Sequence, residues 1–203
     1  MNQNQILQKG LEQLFLAEAL TVAVGVGSLL PLGDLLLSGM SLLSIVALVL
    51  MLMGLHTLHI LSPRYRLAFQ LSLVELGVAF AGGIVTAALG LYVSVAHMMT
   101  ALTVIAMGAL VLEGLVVFFS CGATMELIRP IAEHTAEQGT LVRMLVPLVL
   151  AVGLVGQGLY LLPVPGGIPD FLTLLASVLQ IACNACFVRF LYQCRKVVAP
   201  AAH

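Results

Sequence analysis

Six long apolar stretches follow one another along the chain, separated by short segments that contain Pro, Gly or charged residues. An α-helix needs about 20 apolar residues to cross the hydrocarbon core of a bilayer, and each stretch meets that length. We predict helices at 11–30, 37–61, 67–91, 99–121, 141–162 and 171–191, with the longest connection at 129–140. The sequence therefore predicts an all-α, polytopic bundle of six transmembrane helices forming a single domain, 1–203.

The composition excludes a water-soluble domain. Of the 203 residues, 61% are hydrophobic and only 8% are charged, whereas soluble domains carry about a quarter charged residues. The formal net charge of −1 provides no basic surface for a nucleic acid. The first partner predicted for this chain is thus the lipid bilayer, and no nucleic acid is expected.

The cations are placed on one side of this layout. All of the Lys and Arg residues fall on the same side if the chain crosses six times: Lys9, Arg64, Arg66, Arg129, Arg143, Arg189, Arg195 and Lys196. Lys and Arg are retained on the cytoplasmic side of membrane proteins. We therefore expect a multi-pass protein of the prokaryotic plasma (inner) membrane with both termini in the cytoplasm.

A weak internal period accompanies the helices. The segments 13–18 and 70–75 read QLFLAE and QLSLVE and match at four of six positions. Transporters are often built from internal repeats, which favours three helical hairpins of parallel orientation. The alternative is chance similarity among Leu-rich stretches.

Polar side chains at membrane depth are the candidates for function. A carboxylate inside a membrane helix costs a few kcal/mol on insertion scales, so it normally faces a protein interior or a wet cavity. Glu18, Glu75 and Glu113 lie at this depth, and Gln180 and Asn184 lie near the same level, whereas the other half of the bundle is almost entirely apolar. We interpret these five residues as a candidate substrate- or ion-binding site. The alternative is that protonated Glu side chains hydrogen-bond across helices and only hold them together.

His56 and His59 are a weaker candidate, for a metal site. They are three residues apart and share a helix face, and Glu residues of neighbouring helices would complete the ligands. The alternative places both imidazoles at the headgroup boundary without a metal. No cofactor is predicted.

Small residues predict close helix contacts. Ala79 and Gly83 lie four residues apart in the third helix, and Gly153, Gly156 and Gly158 lie in the fifth. At these positions we expect neighbouring backbones to approach each other.

The sequence contains no phosphate-binding Gly loop, no Gly-x-Ser-x-Gly and no His-Glu-x-x-His, so we do not predict an enzyme. The favoured function is a small secondary transporter or channel-like protein for a small solute or cation, with proton coupling at a Glu. In length and helix layout the chain is also similar to the substrate-binding subunits of energy-coupling-factor uptake transporters, which implies partner subunits. Further alternatives are a non-transporting assembly factor and a membrane-embedded enzyme. Besides partner subunits, a second copy of the chain in a homo-oligomer is an alternative partner.

Overall fold

The computed structural model describes residues 3–30, 34–89, 95–162 and 167–199. The helices are α1 Gln3–Ser28, α2 Asp34–Leu58, α3 Pro63–Leu89, α4 Val95–Ile128, α5 Glu133–Glu137, α6 Gly139–Leu159 and α7 Gly167–Val198. This described part of the chain contains no strand, which confirms the all-α prediction. Six of the helices are long, and each overlaps one of the six predicted stretches.

The six long helices pack as a closed ring in the order α1, α2, α3, α4, α6, α7 and back to α1. Contacts are most extensive within three hairpins, α1–α2, α3–α4 and α6–α7, and least extensive between α2 and α3. The chain therefore folds into three hairpins, as the sequence suggests. The internal repeat between them stays a prediction.

Within the described residues, five helical segments are long and apolar enough to cross a membrane. They are Gln3–Ser28, Pro63–Ile84, His97–Ile128, Glu133–Leu159 and Gly167–Val198. In α2 the apolar segment Leu42–Leu58 is shorter. By length and composition five helices fit the multi-pass prediction, and the sixth crossing, by α2, stays a prediction.

The α3–α4 hairpin has a well-defined register. Ser62 precedes α3 and its Oγ accepts a hydrogen bond from the Arg64 amide at 3.3 Å, as expected of a serine that caps a helix start. Near this end the buried hydroxyls of Tyr65 and Thr124 lie 2.6 Å apart. Near the other end Gly82 of α3 lies against Ile105 of α4. Because the two helices run in opposite directions, these contacts place Glu75 of α3 level with Glu113 of α4.

All the cations lie toward one end of the ring, because each belongs to the beginning of α1, α3 or α6 or to the end of α4 or α7. Among the described residues, two ion pairs join neighbouring helices there. Arg64 Nη1 lies 3.1 Å from Glu126 Oε1, and Arg195 Nη1 lies 3.9 Å from Glu12 Oε1. The second pair puts the beginning of α1 beside the end of α7.

The predicted connection at 129–140 is wrong in part. The fourth helix continues to Ile128 rather than ending at 121, and Glu133–Glu137 forms the short helix α5. Residues 121–128 include Thr124 and Glu126, so apolar length alone underestimates the helix. The added turns are held by packing, since Ala123 and Ile128 are fully buried.

The small residues pack closely at Gly156 of α6, but not at Gly158, where a methyl group would meet no atom within 4 Å, and not in α3. A methyl group at Gly156 would lie 3.2 Å from the backbone carbon of Leu172, so α6 and α7 are in close contact there. In α3 the prediction is wrong, because Ala79 and Gly83 line an open apolar groove and a methyl group at Gly83 would meet no atom within 4 Å. The periodicity of small residues in α3 does not identify its packed face.

Candidate functional site

Three carboxyl groups from three different helices meet inside the ring. Glu18 of α1 is 2% exposed, and Glu75 of α3 and Glu113 of α4 are half-buried. Glu18 interacts electrostatically with both of the others, and Glu75 interacts with Glu113. The ring thus brings together the three Glu residues that the sequence singles out.

The α3–α4 register explains why Glu75 and Glu113 are neighbours. Glu18 interacts with both although α1 does not pack extensively on either α3 or α4. Ionised carboxylates that interact in this way repel one another, and more strongly in a medium of low dielectric constant. The cluster therefore disfavours three negative charges at once.

Glu113 is held by two amide side chains of α7. Gln180 Nε2 donates to Glu113 Oε1 at 3.0 Å, and Asn184 also hydrogen-bonds this carboxyl group. Gln180 and Asn184 are four residues apart and therefore share one face of the helix. Asn184 is 3% exposed, and among the described residues its Oδ1 has no hydrogen-bond partner. All five predicted site residues lie in this cluster.

A buried hydroxyl extends the cluster along α3. Ser72 lies three residues before Glu75 and is fully buried, and its Oγ has no partner within the described part of the chain. Buried polar atoms without partners are rare in proteins and call for a ligand, a water or an ion. Sequence reasoning missed Ser72, although its spacing from Glu75 places it on the same helix face.

The two histidines lie elsewhere, near the end of α2. Their rings are 5.0 Å apart, and both pack on Phe69, at 5.5 Å for His56 and 6.1 Å for His59. His59 Nδ1 contacts the carbonyl oxygen of His56. Across the ranges that the structure describes, no three His, Cys, Asp or Glu side chains are arranged to hold a metal ion. The structure does not bring the Glu residues to this pair, so the metal site stays an unsupported prediction.

The half of the ring away from the cations is less apolar than the sequence suggests. A cavity of about 220 Å³ lies between α1, α4, α6 and α7. Its polar lining residues are Ser28, Gln157, Thr173, Ser177 and Gln180. Gln180 thus contacts Glu113 and also faces the cavity. A second cavity, between α4 and α6, shares Gln157 with the first.

Tyr160 marks the end of α6 at this side of the ring. Its hydroxyl donates to Asp170 Oδ1 of α7 at 2.5 Å. This hydrogen bond to a carboxylate raises the pKa of Tyr160 above its usual range, because the neutral phenol is the form that donates. The contact joins α6 to the beginning of α7 next to the second cavity, which Tyr160 also lines.

Comparison of the chain with known protein families, with curated proteins and with solved structures gives no match. The class that the fold defines is a helical bundle whose apolar helices are compatible with a multi-pass integral membrane protein. The buried polar cluster and the cavity beside it are the features from which a function can be argued.

Proposed function

We propose that this chain is a small membrane transporter or channel-like protein for a small solute or cation, in which Glu18, Glu75 and Glu113 form a proton-coupling site. The convergence of three carboxyl groups inside an apolar bundle supports this proposal more than any other observation. One carboxyl group would be enough to join two helices by a hydrogen bond. Burying three carboxyl groups, which repel one another when ionised, reduces stability, and a role in binding or coupling accounts for that cost.

The chemistry follows from the cost of burying charge. In the dry interior a carboxyl group is more stable when neutral, and contact with water or a cation favours its ionised form. Among the three, Glu113 has the support that an ionised form needs, because Gln180 and Asn184 both hydrogen-bond it. We therefore assign the exchangeable charge to Glu113, and its negative charge disfavours ionisation of Glu18 and Glu75.

The orientation of the proposed transporter follows from its cations. They lie at one end of the ring, and the positive-inside rule places that end in the cytoplasm. The cavity between α1, α4, α6 and α7 then lies in the outer half of a plasma-membrane protein. Solute would pass between this cavity and the cytoplasm by way of the Glu cluster, with alternating access to the two sides.

Charge movement in proteoliposomes tests the proposal. Purified protein is reconstituted, adsorbed on a solid-supported membrane and exposed to concentration jumps of small cations and solutes at two pH values. We expect Glu113→Gln to reduce the pH-dependent charge movement at least tenfold, because the amide cannot release a proton. Glu126→Gln is the matched control, since Glu126 is 52% exposed and pairs with Arg64 at the bundle end.

A Glu113→Gln protein that folds normally and moves charge as the wild type does would refute the coupling role. Loss of charge movement in Glu126→Gln as well would show that any Glu substitution disturbs the bundle. Glu18→Gln and Glu75→Gln then serve as independent tests, with retained folding checked by circular dichroism.

A further inference from the structure

The cavity between α1, α4, α6 and α7 presents hydrogen-bond acceptors. Gln157 Oε1 is buried and accepts no hydrogen bond from the described residues. The hydroxyl of Ser177 donates to the carbonyl oxygen of Thr173 at 3.0 Å, and that of Ser28 donates to Gly25 at 2.7 Å. Each hydroxyl has one hydrogen, so these serine oxygens are left with lone pairs only. These three acceptor oxygens favour an occupant that donates hydrogen bonds, and Thr173 Oγ1, which also lines the cavity and has no partner among the described residues, can accept one more.

The charge next to the cavity favours a cation. Gln180 lines the cavity and at the same time donates to Glu113. Its side chain separates the cavity from the carboxyl group by a single hydrogen bond. A positive group in the cavity would lie close to Glu113 in a medium of low dielectric constant, where a charge pair is much stronger than in water.

The walls favour an organic cation over a metal ion. Besides the polar groups, the lining includes the apolar side chains of Leu110, Ala176 and Ile181. A Ca²⁺ or Mg²⁺ ion requires about six oxygen ligands around it, whereas an ammonium group needs only three acceptors. The volume of about 220 Å³ is below the roughly 300–1,000 Å³ of sites for drug-sized ligands, so the occupant is small.

We propose that this cavity binds a small primary alkylammonium compound, with its –NH₃⁺ group on the acceptor oxygens around Gln157 and its short alkyl chain against Leu110 and Ile181. Glu113 gives up one proton as the cation binds, so one positive charge enters and one leaves. The inference rests on the proposed function, since it names the substrate class for the same Glu113 site. In this proposal, binding of the alkylammonium ion is coupled to release of the proton from Glu113.

Calorimetry on the full chain in lipid nanodiscs tests this proposal, with n-butylammonium as the probe. The titration is repeated in two buffers of different ionisation enthalpy, which counts the protons released. We expect binding with release of about one proton per ligand. Neither n-butanol, which has the same shape without the charge, nor NaCl should bind in the cavity.

Two Gln variants provide the matched comparison. Gln157→Leu removes the buried acceptor at nearly the same size, and we expect at least about tenfold weaker binding, as for a lost hydrogen bond to a charged group. Gln138→Leu replaces a Gln that lies before α6 and away from the cavity, and it should bind as the wild type does. Ala176→Leu, which fills the cavity, should abolish binding while the protein stays folded.

Several outcomes would overturn the inference: equal binding of n-butanol, binding without proton release, or wild-type affinity in Gln157→Leu. The result is separable from the proposed function. If n-butylammonium does not bind but Glu113→Gln still abolishes charge movement driven by another solute, the ligand class is wrong and the coupling site stands. If n-butylammonium binds with proton release but its gradient drives no pH change inside proteoliposomes, the binding site stands and transport is wrong.

Discussion

The buried hydroxyl pair of α3 and α4 gives an asymmetric prediction for stability. Tyr65 and Thr124 are both fully buried, and their oxygens lie 2.6 Å apart. Thr124 Oγ1 also donates to the carbonyl oxygen of Ser120 at 2.8 Å. Because the threonine has only one hydroxyl hydrogen, the tyrosine must be the donor between them.

The two conservative substitutions therefore leave different groups behind. Tyr65→Phe removes the donor and leaves Thr124 with its bond to Ser120, so we expect a loss of about 1 kcal/mol, a typical net hydrogen bond. Thr124→Val leaves the tyrosine hydroxyl buried without an acceptor, and an unsatisfied buried group costs about 1–3 kcal/mol. In a chain of this size each 1 kcal/mol lowers Tm by roughly 2–4 °C.

Thermal unfolding by circular dichroism in one lipid–detergent mixture measures these differences. Thr124→Val should melt below Tyr65→Phe, and the double variant should cost less than the two single losses added together, since no orphaned hydroxyl remains. Tyr192→Phe, at an exposed tyrosine, is the control and should leave Tm unchanged. A larger loss in Tyr65→Phe, or additive losses, would refute the hydrogen-bond assignment and with it the register that pairs Glu75 with Glu113.

Two further predictions concern α6 and its end. Gly156→Ala should destabilise the protein by about 1 kcal/mol or more, because the added methyl group would lie 3.2 Å from the Leu172 backbone. A methyl group added at Gly158 would meet no atom within 4 Å. Gly158→Ala should instead stabilise it by up to about 1 kcal/mol through helix propensity, and equal melting temperatures for the two would contradict the close α6–α7 contact. Asp170→Asn should lower the pH at which Tyr160 ionises, since the hydrogen bond that raises its pKa is weakened. Ultraviolet difference titration of Tyr160 measures this pH. In the wild type, the hydrogen bond from the neutral Tyr160 phenol stabilises the fold fully below about pH 10, the ordinary pKa of tyrosine. This stabilisation is lost as the pH rises through the raised pKa of Tyr160.

The helices and the Glu cluster are the parts that the sequence predicts best. The length of an apolar stretch decides where a chain can cross lipid. A carboxyl group at membrane depth is unfavourable in contact with lipid, so it faces the interior of the bundle. That constraint is strong enough to bring Glu18, Glu75 and Glu113 together without any knowledge of helix packing. The same constraint does not indicate what the Glu cluster binds.

Helix rotation and cavities are not predictable in the same way. Helices that are apolar on all sides have no polar face to show which side is buried. The contacts that set their rotation, such as Gly10 against Leu58 and Gly114 against Leu150, depend on fitting individual side chains. For this reason the open face of α3 at Gly83 was predicted wrongly. The polar cavity at Gln157 was not predicted either, although a lone Gln in an apolar helix is a signal for one.

The question of five or six crossings depends on α2, and geometry favours six. Helix α2 has 25 residues, which rise about 37 Å, more than the ~30 Å of the hydrocarbon core. It connects the end of α1, at one end of the bundle, to the beginning of α3 at the other. The ion pair between Glu12 and Arg195 joins α1 and α7 at the end of the bundle where α3 begins. We therefore predict that, in a cysteine-free background, Lys9→Cys and Lys196→Cys are labelled by an impermeant maleimide from the same face of the membrane, and Leu30→Cys from the other. Labelling of the two lysine positions from opposite faces would mean that α2 does not cross, and the cations would then no longer share one side.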